Sequence, residues 1–220
     1  MKKVFLLVVA FTTVVSAIKA QDTTSHKKVK TEYKSKIGLK AGYNISYARG
    51  SQSGFSPSNQ NGFMVAGFLN AGNKSIIGYR TEIVFSRQGY TYDDAGTNTG
   101  IMNDYIYLPQ LTTINITKYL QLQAGAQIGY LINSQKSSNG KNADSSLLSF
   151  MNRVDYGFAA GIEIYPFKGL IIGGRYNLGL GKMYKQYEQP PGTSPFQLPF
   201  DPAATNLKNG SVQFFIGYQF

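Results

Sequence analysis

Apolar and polar residues alternate with a period of two along most of the chain after residue 35, and eight stretches predict strands with distinct faces. The first, residues 36–47, sets Ile37, Leu39, Ala41, Tyr43 and Ile45 against Lys40, Gly42, Asn44 and Ser46. The second, 62–70, is apolar on both sides through Phe63-Met64-Val65-Ala66, so its facing stays open. The third, 76–88, sets Tyr79, Ile83 and Phe85 against Arg80, Glu82 and Ser86. The fourth, 104–113, contains Pro109, which cannot donate to a ladder and predicts a bulge or local break. In the fifth, 119–132, Leu120, Leu122, Ala124, Ala126, Ile128 and Tyr130 oppose Gln121, Gln123, Gly125, Gln127 and Gly129. The sixth, 154–165, sets Tyr156, Phe158, Ala160, Ile162 and Ile164 against Asp155, Gly157, Gly161 and Glu163. The seventh, 170–180, sets Ile172, Tyr176 and Leu178 against Gly173, Arg175, Asn177 and Gly179. The eighth, 211–220, carries Val212, Phe214, Ile216, Tyr218 and Phe220 on one face, and Phe215 breaks its polar face.

The connections alternate in length. Polar linkers near 48–61, 89–103, 133–153 and 181–209 are long, whereas 71–75, 114–118 and 166–168 are tight. Strands of roughly 9–13 residues joined by alternating long and short connections match a tilted, membrane-spanning barrel with large outer loops and small inner turns. A terminal apolar strand ending in an aromatic fits closure, because an open edge in lipid leaves backbone groups unsatisfied. Phe214, Tyr218 and Phe220 are therefore the expected closure and assembly signal.

One face is apolar and tyrosine-rich, with Thr81 and Arg87 as exceptions. The other carries Lys40, Arg80, Glu82, Gln121, Gln123, Gln127, Asp155, Glu163 and Arg175. A charge at the bilayer midplane costs about 2–4 kcal/mol, so the charged face is expected inside. Lys40, Arg80, Glu82, Asp155, Glu163 and Arg175 then form a lumen charge network. The inward glycines make room for Arg and Gln side chains. Tyr47, Tyr79, Tyr105, Tyr107, Tyr119, Tyr130 and Tyr165, near strand ends, are expected as an interfacial girdle. A soluble, lipocalin-like barrel would invert the faces; the alternation alone fits that alternative too.

Met1-Lys2-Lys3, an apolar run from Val4 to Val15 and a small-residue exit read as a secretory signal peptide cut after Ala20, with Ala17 as second choice. The run is shorter than the roughly 20 residues a spanning helix needs. Net charge is +11. Removing Lys2, Lys3 and Lys19 leaves about +8, and much of that excess sits between His26 and Lys36, in Lys27, Lys28, Lys30, Lys34 and Lys36. The leader, residues 21–35, is read as solvated and disordered; contact with anionic headgroups or an acidic partner is the alternative. No nucleic-acid motif is present.

Little chemistry is on offer. The chain has no cysteine and one histidine, His26, in the leader, which removes thiol chemistry and makes a Ser/His dyad or a histidine metal site in the barrel very hard to build. Asp93, Asp94 and Asp104 at the ends of one loop would suit a hard cation, but a solvated loop is the preferred reading. No cofactor and no enzymatic activity are expected. The longest loop is proline-rich, and its apolar residues Tyr187, Phe196, Leu198 and Phe200 need cover, either as a cap on the barrel mouth or as a surface-binding loop.

Several segments together resemble the outer-membrane β-barrel proteins of Bacteroidetes called porin-family or PorT-like: residues 38–46 (GLKAGYNIS), 82–89 (EIVFSRQG), Tyr107-Leu108-Pro109, Asp155-Tyr156-Gly157, 175–179 (RYNLG) and the terminal Gly217-Tyr218-Gln219-Phe220. The resemblance covers nearly the whole mature chain and implies fold and location more than function; one namesake subgroup is linked to a secretion system. The expectation is an all-β, eight-stranded antiparallel up-and-down transmembrane barrel over 36–220. An interior of eight strands is about filled by side chains, so an open pore is disfavoured. The expected function is a non-enzymatic structural or binding role at the cell surface; the alternative is a narrow channel or a transport or secretion accessory. Expected partners are outer-membrane lipid, the barrel assembly machinery and an envelope or secretion partner, with no nucleic acid.

Overall fold

Nine strands are present in the computed structural model, which describes residues 35–50, 55–71, 76–94, 96–138, 141–185 and 206–220. They are β1 (Lys36–Arg49), β2 (Ser58–Asn70), β3 (Ile77–Asp94), β4 (Thr97–Asn115), β5 (Leu120–Ser138), β6 (Lys141–Ser146), β7 (Val154–Ile164), β8 (Leu170–Lys182) and β9 (Lys208–Gln219). Eight of them form a closed antiparallel ring in which each pairs with its neighbours in sequence, β7 following β5, and β1 pairs with β9. The short β6 hangs outside the ring on the far end of β5. The predicted signal peptide and leader, apart from Ser35, and the loop residues Tyr187, Phe196, Leu198 and Phe200 lie outside the described residues.

Closure is continuous. β1 and β9 pair from Gly38↔Gln219 to Arg49↔Lys208, and the Phe220 N–H donates to the Ile37 carbonyl at 2.9 Å. The tight β7–β8 turn is tied to the same seam: Gly169, at φ +85°, accepts from the Gln219 N–H at 2.7 Å. Only a residue without a Cβ takes that backbone angle freely.

Two expectations about connections are corrected. The linkers placed at 89–103 and 133–153 are mostly strand. β3 and β4 stay in one register out to Asp94↔Thr97, and β5 continues to Ser138 and folds back into β6. Their buried face mixes Tyr90 and Ile101 with Thr99, Asn103 and Ser134, so the apolar–polar alternation that marks a half-buried strand disappears. Of the expected bulge or local break at Pro109, the break forms: Glu82↔Pro109 and Ile83↔Leu108 drop out of the β3–β4 ladder, with no bulge. The β3–β4 register is unchanged on both sides of it, and the irregularities in the neighbouring pairings fall between Asp104 and Tyr105 on β4 and between Asn59 and Met64 on β2.

The faces are those of a barrel turned inside out. Phe158, Phe214, Ile216 and Ile37 point outward and are 55–60% exposed, while Lys40, Arg80, Glu82, Glu163 and Arg175 are at most 2% exposed. Leaving a large apolar side chain in water costs about 1.5–3 kcal/mol, and the outer wall is covered with them, so a lipid-like solvent is required and the lipocalin-like alternative fails. On β2, whose facing the sequence leaves open, Met64, Ala66 and Phe68 point in and Phe63, Val65 and Leu69 point out. Tyr105 and Tyr107 are buried in the lumen and Tyr165 turns its hydroxyl into it, so these three leave the expected girdle; Tyr79, Tyr119 and Tyr130 face outward.

A charge placed on this outer wall tests its solvent. Phe158→Arg, near the middle of β7, should destabilise the barrel in lipid vesicles by about 2–4 kcal/mol, and Tyr119→Arg at the turn end by about 0–1 kcal/mol. Urea unfolding followed by the heat-modifiable shift on gels measures both.

Candidate functional site

The lumen is the most organised polar region of the molecule, and it is filled in layers. Near the tight-turn end, Lys40 of β1 places Nζ 2.7 Å from Glu82 Oε1 and 2.6 Å from Glu163 Oε1. Arg80 donates from Nη1 to both Glu163 oxygens at 2.7 and 2.6 Å. Arg175 of β8 grips Glu82 with a two-nitrogen fork, Nη1 donating to Oε2 at 2.8 Å and Nη2 to Oε1 at 2.9 Å. Five side chains from β1, β3, β7 and β8 thus form one buried ionic layer, and Gln121 and Gln123 of β5 complete it by accepting from Arg80 and Arg175 at 2.9 and 3.2 Å. Paired in this way, buried charges are tolerated that would otherwise be prohibitively costly.

Three cations against two carboxylates leave one positive charge. Aromatic faces answer it. Lys40 Nζ sits 4.9 Å from the Phe68 ring and 4.7 Å from the Phe215 ring, with the Arg80 guanidinium 4.7 Å from Phe68. Tyr165 accepts from Arg80 Nη2 at 2.9 Å and donates to Glu163 at 2.8 Å. Space for these rings comes from glycine, not chiefly for Arg and Gln as expected: a Cβ on Gly38 would lie 2.2 Å from the Phe68 ring, and one on Gly173 would lie 2.6 Å from Phe215.

Above this layer lies a neutral one. Ser86 Oγ accepts from Asn44 and Gln88 at 2.8 and 2.9 Å, and Asn177 donates to Ser211 at 3.2 Å. Near the loop end is Asp155. It accepts from Tyr107 Oη, Asn209 Nδ2 and the Tyr156 N–H at 2.9, 3.0 and 2.9 Å, and stands apart from the ionic layer it was expected to join. Eight residues separate Asp155 from Glu163 on β7, about 26 Å along the strand. The mouth itself is apolar: Tyr90, Ile101, Leu131, Leu147, Met151 and Met183 are buried together, and the Tyr90 and Tyr184 hydroxyls meet at 2.5 Å. Burial pushes the Tyr184 phenol well above its ordinary pKa, so the hydroxyl stays protonated.

The other expected residues are placed as follows. Gln127 is buried in the lumen wall, whereas Phe214, Tyr218 and Phe220 point outward on the closing strand. Arg87, on the outer face at the loop end, holds Asp104 at 2.7 and 3.0 Å, and Asp93 accepts from the Gly96 N–H at 2.7 Å. Among the described residues no group of three or more His, Cys, Asp or Glu side chains stands together. Phe68 and Asn209 carry no local signal in the sequence; Phe215 does, as the odd aromatic on a polar face, and Tyr107, expected in the girdle, lies instead against Asp155.

A family profile described as an outer membrane protein beta-barrel domain matches residues 19–185. The chain belongs to that family, and its barrel is an outer-membrane barrel with long outer loops and short periplasmic turns. No curated protein sequence matches it. Among solved structures it is similar to Ail, the attachment invasion locus protein of Yersinia pestis, at 18% identity and TM-score 0.45, covering 84% of this chain and 98% of that one. Neisserial surface protein A (NspA) matches at 13% identity and TM-score 0.46, covering 84% and 97%. OprG from Pseudomonas aeruginosa matches at 9% identity and TM-score 0.44, covering 88% and 99%.

Removing a carboxylate from the ionic layer strands buried cations. Glu82→Gln should destabilise the barrel by about 3–5 kcal/mol, and Asp155→Asn by about 1–3 kcal/mol. Because the two groups are far apart and share no partner, the double variant should cost the sum within about 0.5 kcal/mol. Unfolding titrations of the three variants in vesicles check this.

Proposed function

We propose that this protein is a non-enzymatic, non-conducting outer-membrane barrel with a structural or binding role at the cell surface. The observation that carries the reading is that the lumen is closed twice, by the ionic layer at the periplasmic end and by the apolar cap at the mouth. A solute path would have to break ion pairs whose partners span four strands, which is costly. The carboxylates that would serve acid–base chemistry are spent on arginine, lysine, tyrosine and asparagine donors. Binding is therefore assigned to the outer end, where the loop carrying Tyr187, Phe196, Leu198 and Phe200 is the proposed contact surface.

Around this core reading stand narrower ones. Residues 1–20 are proposed to be removed on export and 21–35 to form a basic periplasmic leader ahead of the barrel at 36–220. Membership of the porin-family or PorT-like group of Bacteroidetes is supported by the short segments named above. Phe214, Tyr218 and Phe220 are proposed as the signal read by the barrel assembly machinery, and their outward, lipid-facing placement leaves them accessible to it. An envelope or secretion partner would engage the outer end.

Planar-bilayer recording tests the central statement. The mature chain should give no discrete conductance steps, and Lys40→Met, if it folds, should raise leak at most modestly because the mouth cap remains. Regular steps from the unaltered protein would replace this reading with the narrow-channel one. Export in a bacterial host followed by N-terminal sequencing should give Gln21 as the first residue.

A further inference from the structure

Three cations stand in one cross-strand row on the lipid-facing side of the loop-end rim. Arg49 of β1 is in register with Lys208 of β9, and Lys208 is in register with Lys182 of β8. Registered residues share a face, and like charges set directly opposite each other are destabilising. Among the described residues none of the three has a carboxylate partner. Arg49 reaches across β9 to donate from Nη2 to the Gly179 carbonyl at 2.7 Å, while its Nε is buried without a partner.

The wall opens beside this row. β7 and β8 pair as far as Gly157↔Gly179, the chain meets itself again at the Met151↔Tyr184 bridge, and three residues of β8, 179–181, stand against the single Asn209 of β9. The gap is a groove of about 520 Å³ whose lining includes Val154, Tyr156, Lys182, Asn206 and Lys208 and no acidic residue. The nearby Asp155 carboxylate faces the lumen and is occupied by Tyr107, Asn209 and the Tyr156 N–H.

Position fixes the environment. Two residues further into the membrane, Tyr47 lies over Gly210 and donates to the Tyr176 hydroxyl at 2.8 Å, a tyrosine bridge across β1, β9 and β8. Tyrosine at that level marks the membrane interface, so the cations above it sit at headgroup height. Neighbouring strands are about 4.8 Å apart, which makes the row about 10 Å wide, enough to meet more than one phosphate oxygen cluster at once.

We propose that Arg49, Lys182 and Lys208, with the groove beside them, form a lateral site for the phosphate of an outer-leaflet lipid headgroup. The acyl chains would lie along the apolar wall below, and the phosphate would relieve the repulsion within the row. The site is distinct from the lumen.

The test is a titration of the refolded protein in neutral detergent micelles with phosphatidic acid, bound lipid being counted by native mass spectrometry. Each cation near an anionic surface is worth about a fivefold change in affinity, so Arg49→Gln, Lys182→Gln and Lys208→Gln together should weaken binding about a hundredfold. The matched variant at the other rim, Lys36→Gln, Lys118→Gln and Lys168→Gln, has the same net charge and should bind like the unaltered protein. Equal loss in both triple variants, or no loss in the first, overturns the site. Displacement by soluble glycerol phosphate at the same concentration as the lipid overturns the lipid assignment in favour of a free phosphate ligand. Heat-modifiability verifies folding; if the triple variant fails it, the exposed Lys182→Gln alone should still bind about fivefold more weakly.

Discussion

Backbone hydrogen bonding in a solvent that offers none is the constraint on which the rest of this structure depends. In hydrocarbon an unpaired N–H or C=O has no water to turn to, so a sheet survives there only if it closes. Here closure is made by β1 against β9, the two strands furthest apart in sequence, held in register over their full length and locked at the end by the bond from Phe220 to Ile37. Once the ring is closed, each strand must present one face to lipid and one to the lumen. The apolar outer wall and the charged interior are two consequences of the same geometry.

The interior then faces its own problem, because eight strands enclose a space too narrow for bulk water and too polar for a greasy core. The protein solves it by neutralisation in layers. Arginine and lysine are matched to two glutamates, the residual positive charge is laid between Phe68 and Phe215, and the aromatic rings fit because glycines opposite them carry no Cβ. At the other end Asp155 is quenched by hydrogen-bond donors instead of cations, and apolar residues from β3 to β5 and the loop-end segments cover the mouth. The strands are longer on the β3–β5 side than in β7, β8 and β9, and it is at the outer ends of β1, β8 and β9 that Arg49, Lys182 and Lys208 stand in register.

The strand faces were legible in the sequence wherever the two sides differ in chemistry. In β5 glutamine and glycine alternate with leucine, isoleucine and alanine, and every such assignment agrees with burial. Legibility failed in β2 and β4, where both faces carry apolar residues: Met64 and Phe68 point in beside Phe63 and Leu69 pointing out, and Tyr105 and Tyr107 point in beside outward Ile106. It failed again beyond the membrane, where the buried face mixes Tyr90 and Ile101 with Thr99 and Asn103, the alternation is lost, and β6 and the outer halves of β3 to β5 read as loop.

By itself the sequence determined the class of fold, the inward facing of Lys40, Arg80, Glu82, Glu163 and Arg175, and the even count of strands in the ring, because side-chain alternation and turn length are local properties. Which inward groups meet was decided only by the tertiary structure. Lys40 and Glu163 are 123 positions apart and touch because of strand order, stagger and ring closure. The same stagger separates Asp155 from that layer and sets Arg49, Lys182 and Lys208 side by side, since lateral register between strands is a property of the closed ring and leaves no trace in any one strand.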